Sequence, residues 1–207
     1  MATQDKIYLY RMTHVENIPH VLEFGITHAT SVNANPDFTP IGDPSLIQTR
    51  NSFFLNNGRR LGEYIPFYFG VRMPMLYVIQ KGFNMMAATP SESIVYCIST
   101  VQKIMEHKLA FVFTDGHAVD KFTRQYDTGD IEAIHTLLDW TAIKSRYWKS
   151  DTDLDLKRRK EAEFLVDGDV PGAAVLGFIV ATPTTKKKLS GLGVSDDRVI
   201  VKPDYYF

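Results

Sequence analysis

Strand-like and helix-like stretches follow one another along this chain without a regular beat, and that irregularity constrains the fold more than any one motif. Short apolar runs rich in β-branched and aromatic residues lie at 7–10, 64–71, 93–99, 111–114, 161–166, 175–181 and 198–201, and read as strands. Helical spacing appears only between some of them. Val15, Ile18, Val21 and Leu22 form one apolar face closed by Gly25, a C-terminal glycine signal. Thr13 followed three residues later by Glu16 has the form of a capping box for that helix. Val101, Ile104 and Met105 mark a second helix, residues 73–79 a short helical element, and 131–138 another after Asp130. A doubly wound parallel fold requires strands and helices in strict alternation. This order instead predicts an α+β domain with a mixed, mostly antiparallel sheet. No glycine-rich phosphate loop of the Rossmann or P-loop kind occurs.

Residues 27–60 read as one long loop, with Asn33, Asn35, Pro36, Pro40, Gly42, Pro44, Asn56, Asn57 and Gly58. A loop of that length in a compact domain is usually functional. The 207 residues suit a single domain over 1–207 with a full core, at 44% hydrophobic and 23% charged. A net charge of -1 does not announce a nucleic-acid-binding protein, so any basic surface must be local, at Lys157–Lys160 or Lys186–Lys188. The lone cysteine, Cys97, excludes an internal disulfide and a cysteine metal cluster, and reads as a small core residue on a buried strand. The six histidines lack metal-ligand spacing, so no metal is expected. Neither a membrane-spanning run nor a signal peptide is seen, and a cytoplasmic location is expected.

The stretch from Lys157 to Val166 carries the chemistry. Four cations run into Glu161 and Glu163, which run into an apolar tail. If 161–166 is extended, the two carboxylates share one side of a sheet, because side chains alternate. A carboxylate pair at a strand start beside a basic loop suits an anionic ligand that develops positive charge. A solvated, charge-alternating lead into a strand is the plainer reading.

Four segments together resemble the DarT family of DNA ADP-ribosyltransferase toxins. They are Leu9–Ile18; Ile47–Asn51 with 64–69 and 72–77; 111–117; and Tyr147–Trp148 followed by 159–166. The closing 202–206 is also similar. The resemblance implies an ADP-ribosyltransferase-like split mixed β-sheet with NAD in its cleft. It implies transfer of ADP-ribose onto a nucleobase of single-stranded DNA, thymidine or guanosine. It further implies a toxin, with phage defence as a setting, reversed by a cognate antitoxin that is a macrodomain or another ADP-ribosyl hydrolase. Transfer to RNA or protein, and a catalytically inactive nucleic-acid-binding module, are the alternatives.

Under that resemblance Glu163 would bind the ribose and face the charge that develops as nicotinamide leaves, with Glu161 helping to choose the acceptor. Arg50 matches the family's essential arginine, and would act on the NAD diphosphate or on the acceptor base, where a cation favours the deprotonated ring. An ordinary surface charge is its plainer reading. His117 would orient substrate or catalytic groups, or is a structural histidine. Arg11, Thr13, His14, Asn17 and Tyr68 are the further NAD contacts expected. The family often has His where this chain has Arg11, which would reach the diphosphate instead. Of the aromatics Tyr64, Phe67, Tyr68 and Phe69, one side should face the core and the other the cleft, with Arg72 and Met75 at its border. For DNA, Arg146, Tyr147, Trp148 and Lys149 combine aromatics with cations, and Lys157, Arg158, Arg159 and Lys160 add an electrostatic track. A hydrophobic anchor and a solubilising charge run are the plainer readings of these two segments.

Overall fold

The computed structural model describes residues 6–84 and 86–207. The first five residues, on which the expectation of no signal peptide falls, lie outside the described residues, as does Met85. Eight strands form one sheet: β1 (Tyr8–His14), β2 (Tyr64–Tyr68), β3 (Ile94–Thr100), β4 (Phe111–Thr114), β5 (Gln125–Tyr126), β6 (Glu163–Asp167), β7 (Gly177–Val180) and β8 (Val199–Val201). Their spatial order is β5-β4-β6-β2-β1-β3-β7-β8. Every pairing is antiparallel except β7 with β8.

The sheet is split at its middle. β1 runs beside β3 over seven residue pairs but meets β2 at one, Tyr10 opposite Tyr68. A cleft opens along this sparsely paired seam, lined by residues of both β1 and β2. On one side of the seam β6 is buried on both faces, with Phe164, Leu165 and Val166 inaccessible to solvent. That explains its unbroken apolar run in place of alternation. Phe111 stacks on Phe164 at 4.5 Å between ring centroids, and Phe69 meets the same ring edge-on at 5.9 Å. Across the seam Tyr96, Ile98, Ile179 and Tyr206 build a second cluster.

Helices flank the sheet: α1 (Ile18–Phe24), α2 (Pro44–Ser52), α3 (Pro74–Lys81), α4 (Val101–Glu106), α5 (Ile134–Leu137), α6 (Trp140–Lys144), α7 (Leu156–Lys160) and α8 (Pro183–Gly191). Among the described residues no helix is long and apolar enough to cross a membrane. Three local expectations are corrected. The 27–60 stretch is no single loop, because α2 lies within it. That helix buries no residue, so it carries no apolar period, and its markers are Asp43 at the N-cap and Pro44 in the first turn. Thr13 forms no capping box, because β1 continues through His14, whose ring accepts from the Glu16 N–H instead. Glu161 is outside the strand: β6 begins at Glu163, and Glu161 caps the C-terminus of α7. The basic run before it is therefore helical.

Candidate active site

The seam opens into a cleft of ≈ 800 Å³, within the range of small-molecule and cofactor sites. β1 contributes Arg11, Met12 and Thr13; β2 contributes Tyr64, Pro66 and Tyr68; α2 contributes Ile47, Arg50 and Asn51. Alternation along β2 explains the division of its aromatics. Ile65, Phe67 and Phe69 pack into the core, while Tyr68 turns to the cleft. Met75 borders the cleft as expected. Arg72 does not: its guanidinium donates to the Tyr206 carbonyl and lies 4.0 Å over the Phe207 ring.

Antiparallel pairing of β2 with β6 sets Glu163 opposite Tyr68, beside the seam. The Glu163 carboxylate is fully buried, yet both its oxygens are satisfied. Oε2 accepts from Arg50 Nη1 at 2.8 Å, and Oε1 accepts from the Ala118 N–H at 2.9 Å. The Arg50 side chain is only 12% exposed, which corrects the reading of an ordinary surface charge. Its other terminal nitrogen, Nη2, is buried with no partner. A buried donor without a protein partner at the wall of a cleft is a group that a bound molecule can satisfy. Burial, and then the charges of Glu163 and Glu161, raise the Tyr68 hydroxyl's pKa, so Tyr68 stays a neutral phenol that can donate.

The backbone donor to Glu163 comes from the loop after β4. Gly116 makes its position possible, since a Cβ there would lie 2.5 Å from Arg158 Nη1 and 2.9 Å from the Arg158 carbonyl oxygen. His117 is anchored through its own N–H to that carbonyl at 3.0 Å, one residue before the Ala118 donor. His117 is half-buried and is not among the residues that line the cleft.

The expected NAD contacts divide. Arg11, Thr13, Arg50 and Tyr68 line the cleft. Arg11 also bridges the seam, donating to the Pro66 carbonyl at 3.0 Å; burial pushes its pKa down to about 10, leaving it cationic at neutral pH. Asn17 does not line this cleft; its amide donates to Thr13 Oγ1 and the Thr39 carbonyl and accepts from the Thr39 N–H, which clips Thr39 to the start of α1. His14 does not line the cleft, and its ring accepts from the Glu16 N–H.

The expected DNA-contacting residues are also dispersed. Arg158 is held by Asp115 and Asp155, and Arg159 by Asp139, Asp153 and Asp155. These pairs raise the pKa of both guanidiniums and remove them as free cations. Lys160 is buried, with Nζ on the Ser145 carbonyl at 2.5 Å, and Lys157 pairs with Glu161 at 2.8 Å. The electrostatic track expected there is an ion-pair network. Trp148 is an anchor, packed edge-on against Tyr77 and Phe207 at 5.5 Å each. Arg146, Tyr147 and Lys149 are exposed.

Residues 10–207 match the family model described as ssDNA thymidine ADP-ribosyltransferase, DarT. The chain belongs to the DarT family. A DNA ADP-ribosyl transferase of Escherichia coli O127:H6 is 30% identical over 189 residues, covering 89% of this chain and 84% of that one. Thermus sp. 2.9 DarT, solved in complex with ADP-ribosylated ssDNA, superposes with a TM-score of 0.84 at 28% identity, over 99% of this chain and 98% of the other. A Thermosipho africanus fusion of a DNA ADP-ribosyl transferase with a DNA ADP-ribosyl glycohydrolase is 27% identical across 96% of this chain, which spans 49% of the fusion. The DarT match also accounts for the split mixed sheet. Two features escaped the sequence reading: the Ala118 N–H, which no side chain announces, and Asp43, whose place before Pro44 was an available N-cap signal.

Proposed function

We propose that this DarT-family chain cleaves NAD and transfers its ADP-ribose to a base of single-stranded DNA, thymidine by its family, acting as a toxin within the cytoplasm. The buried Arg50–Glu163 pair at the seam carries the reading. Breaking the nicotinamide–ribose bond gives the ribose oxocarbenium character. A carboxylate already dehydrated and held by two donors needs no reorganisation to face that charge. Arg50 holds Glu163 in place, and its unpartnered Nη2 is available to substrate. A cation there also favours the deprotonated form of an acceptor ring nitrogen: its proton passes to solvent, and its electron pair bonds to the ribose carbon as nicotinamide departs as the neutral base. Arg11 offers positive charge for the diphosphate, Tyr68 a neutral donor, Thr13 a cleft-lining hydroxyl, and His117 orients the Ala118 turn. Glu161 biases the acceptor through its charge near Tyr68. A hydrolase antitoxin removes the adduct, the pairing that the fused relative's name joins in one chain. The whole of 1–207 acts as one domain.

The test mixes protein, NAD and four single-stranded oligonucleotides, each lacking one base, and reads their masses. Gain of one ADP-ribose on every strand except the one lacking thymine supports the proposal. Gain lost only without guanine would reassign the base, and adducts confined to RNA or protein would overturn the DNA assignment.

A further inference from the structure

With Arg158 and Arg159 neutralised, the cations near the reaction centre that lack a carboxylate partner lie elsewhere. Among the described residues, Arg60, Lys121 and Arg124 form no ion pair, and all three are exposed. Two exposed aromatics accompany them. Phe54 is 57% exposed with the Arg60 guanidinium 5.5 Å from its ring centroid, and Phe122 is 72% exposed with Lys121 Nζ at 5.1 Å. Exposed aromatics beside unpaired cations are the combination that stacks bases while holding phosphates.

These side chains stand on two abutting segments. Phe54 and Arg60 bridge to each other in the hairpin 53–61. Lys121, Phe122 and Arg124 follow β4 in the loop that supplies the Ala118 donor. The hairpin's Asn56 N–H donates to Gln125 Oε1 at 2.8 Å, and Leu55 shares a buried cluster with Ala118. Both segments reach the chemistry: Arg60 lines the cleft and the Ala118 N–H sits on Glu163. The carboxylates within the loop are engaged, Asp115 by Arg158 and Asp120 by the Phe122 N–H at 2.9 Å. Residues 146–149 have no such link, since none of them lines the cleft and Trp148 is packed away.

We infer that the single strand flanking the target base runs over the hairpin 53–61 and the loop 115–124, its phosphates on Arg60, Lys121 and Arg124 and its bases on Phe54 and Phe122. The inference rests on the DNA acceptor proposed above. It is tested by fluorescence anisotropy with a labelled oligothymidylate 20-mer at several salt concentrations, each variant first checked for folding by circular dichroism. Each phosphate contact on a single strand contributes about 0.7 to the slope of log affinity against log salt. The Lys121→Ser/Arg124→Ser variant should therefore lose about 1.4 from that slope, and Arg146→Ser/Lys149→Ser should keep the wild-type slope. Phe122→Ser should weaken binding about ten-fold at every salt concentration. A slope that falls with the 146/149 pair and holds with the 121/124 pair would overturn the track alone, provided the wild type labels single-stranded DNA. A wild type that labels only RNA or protein would remove the acceptor assignment and the track with it.

Discussion

Arg50 and Glu163 join local sequence to chemistry through one hydrogen bond of 2.8 Å. Removing one partner of a buried pair strands the other charge, at a cost of about 3–5 kcal/mol, while removing both can be nearly neutral. Arg50→Ala is therefore expected to lower the melting temperature more than Glu163→Gln, and the double variant to regain about 2 kcal/mol of the loss. Additive losses in thermal melts would mean that the pair is not coupled. Glu163→Gln keeps the shape and loses the charge, so its initial rate of transfer should fall by about 10²–10³-fold. Glu163 was legible at the sequence level from its place in the basic–acidic–apolar segment and from the family resemblance. How it is supported was not, because the Arg50 that pairs with it stands 113 residues away and the other donor is a backbone amide.

At the scale of elements, α2 is the notable case. No apolar side chain of this helix is buried, so its place at the cleft depends on tethers, among them the Arg50–Glu163 pair. Asp43 is its N-cap, with Oδ1 accepting from the Ser45 hydroxyl at 2.6 Å and the Ser45 N–H at 2.8 Å, and Oδ2 accepting from Asn84 Nδ2 at 2.7 Å. These bonds, those to Ser45 first, hold the Asp43 pKa below its ordinary value. A depressed carboxylate stabilises the fold fully above its unfolded pKa of about 3.9 and loses that contribution as pH falls below it. Asp43→Ala should speed amide hydrogen exchange across 45–52 at neutral pH and raise KM for NAD more than it lowers kcat. Unchanged exchange there would mean that other contacts seat the helix. The same alanine should also remove the part of the acid sensitivity of α2 that wild type shows below about pH 4. The helix escaped the periodicity argument for the reason that makes it tether-dependent: it has no buried apolar face.

The whole molecule is a sheet broken at β1–β2 and held across the break by few bonds, and Lys160 shows how its edges are gathered. Its ammonium is buried on the carbonyls of Val71, Ile143 and Ser145, tying α6 and the 145–149 turn to the end of β2. Burial, with a smaller push from Arg72, lowers its pKa to about 8. Between that value and the unfolded value of about 10.4 the unfolded chain holds the proton that the folded chain has released. The Lys160 contribution to stability must then rise with pH across that window. Compared with Lys160→Met, the wild type should gain stability from pH 8 to 10, read as the difference between denaturant midpoints. A difference that is flat with pH would mean that the lysine is not desolvated as the structure places it.

What the sequence determined alone is whatever follows from local pattern. The mixed α+β order, the buried β6 run, the core cysteine and the strand aromatics divided between core and cleft all rest on alternation, helical spacing and apolar composition. The family resemblance supplied the split sheet and Arg50 as a site residue, on matching segments rather than on periodicity. Tertiary structure decided the partners. Helical spacing could show Asp155 beside Arg158 and Arg159, but nothing local shows that Asp115 and Asp139 also close on them, or that Arg60, Lys121 and Arg124 are left without a carboxylate partner. Nor does it show that β6 starts at Glu163, which removes Glu161 from the shared strand face. Charge pairing and strand register depend on groups brought together from distant parts of the chain, and only the closed fold sets those distances.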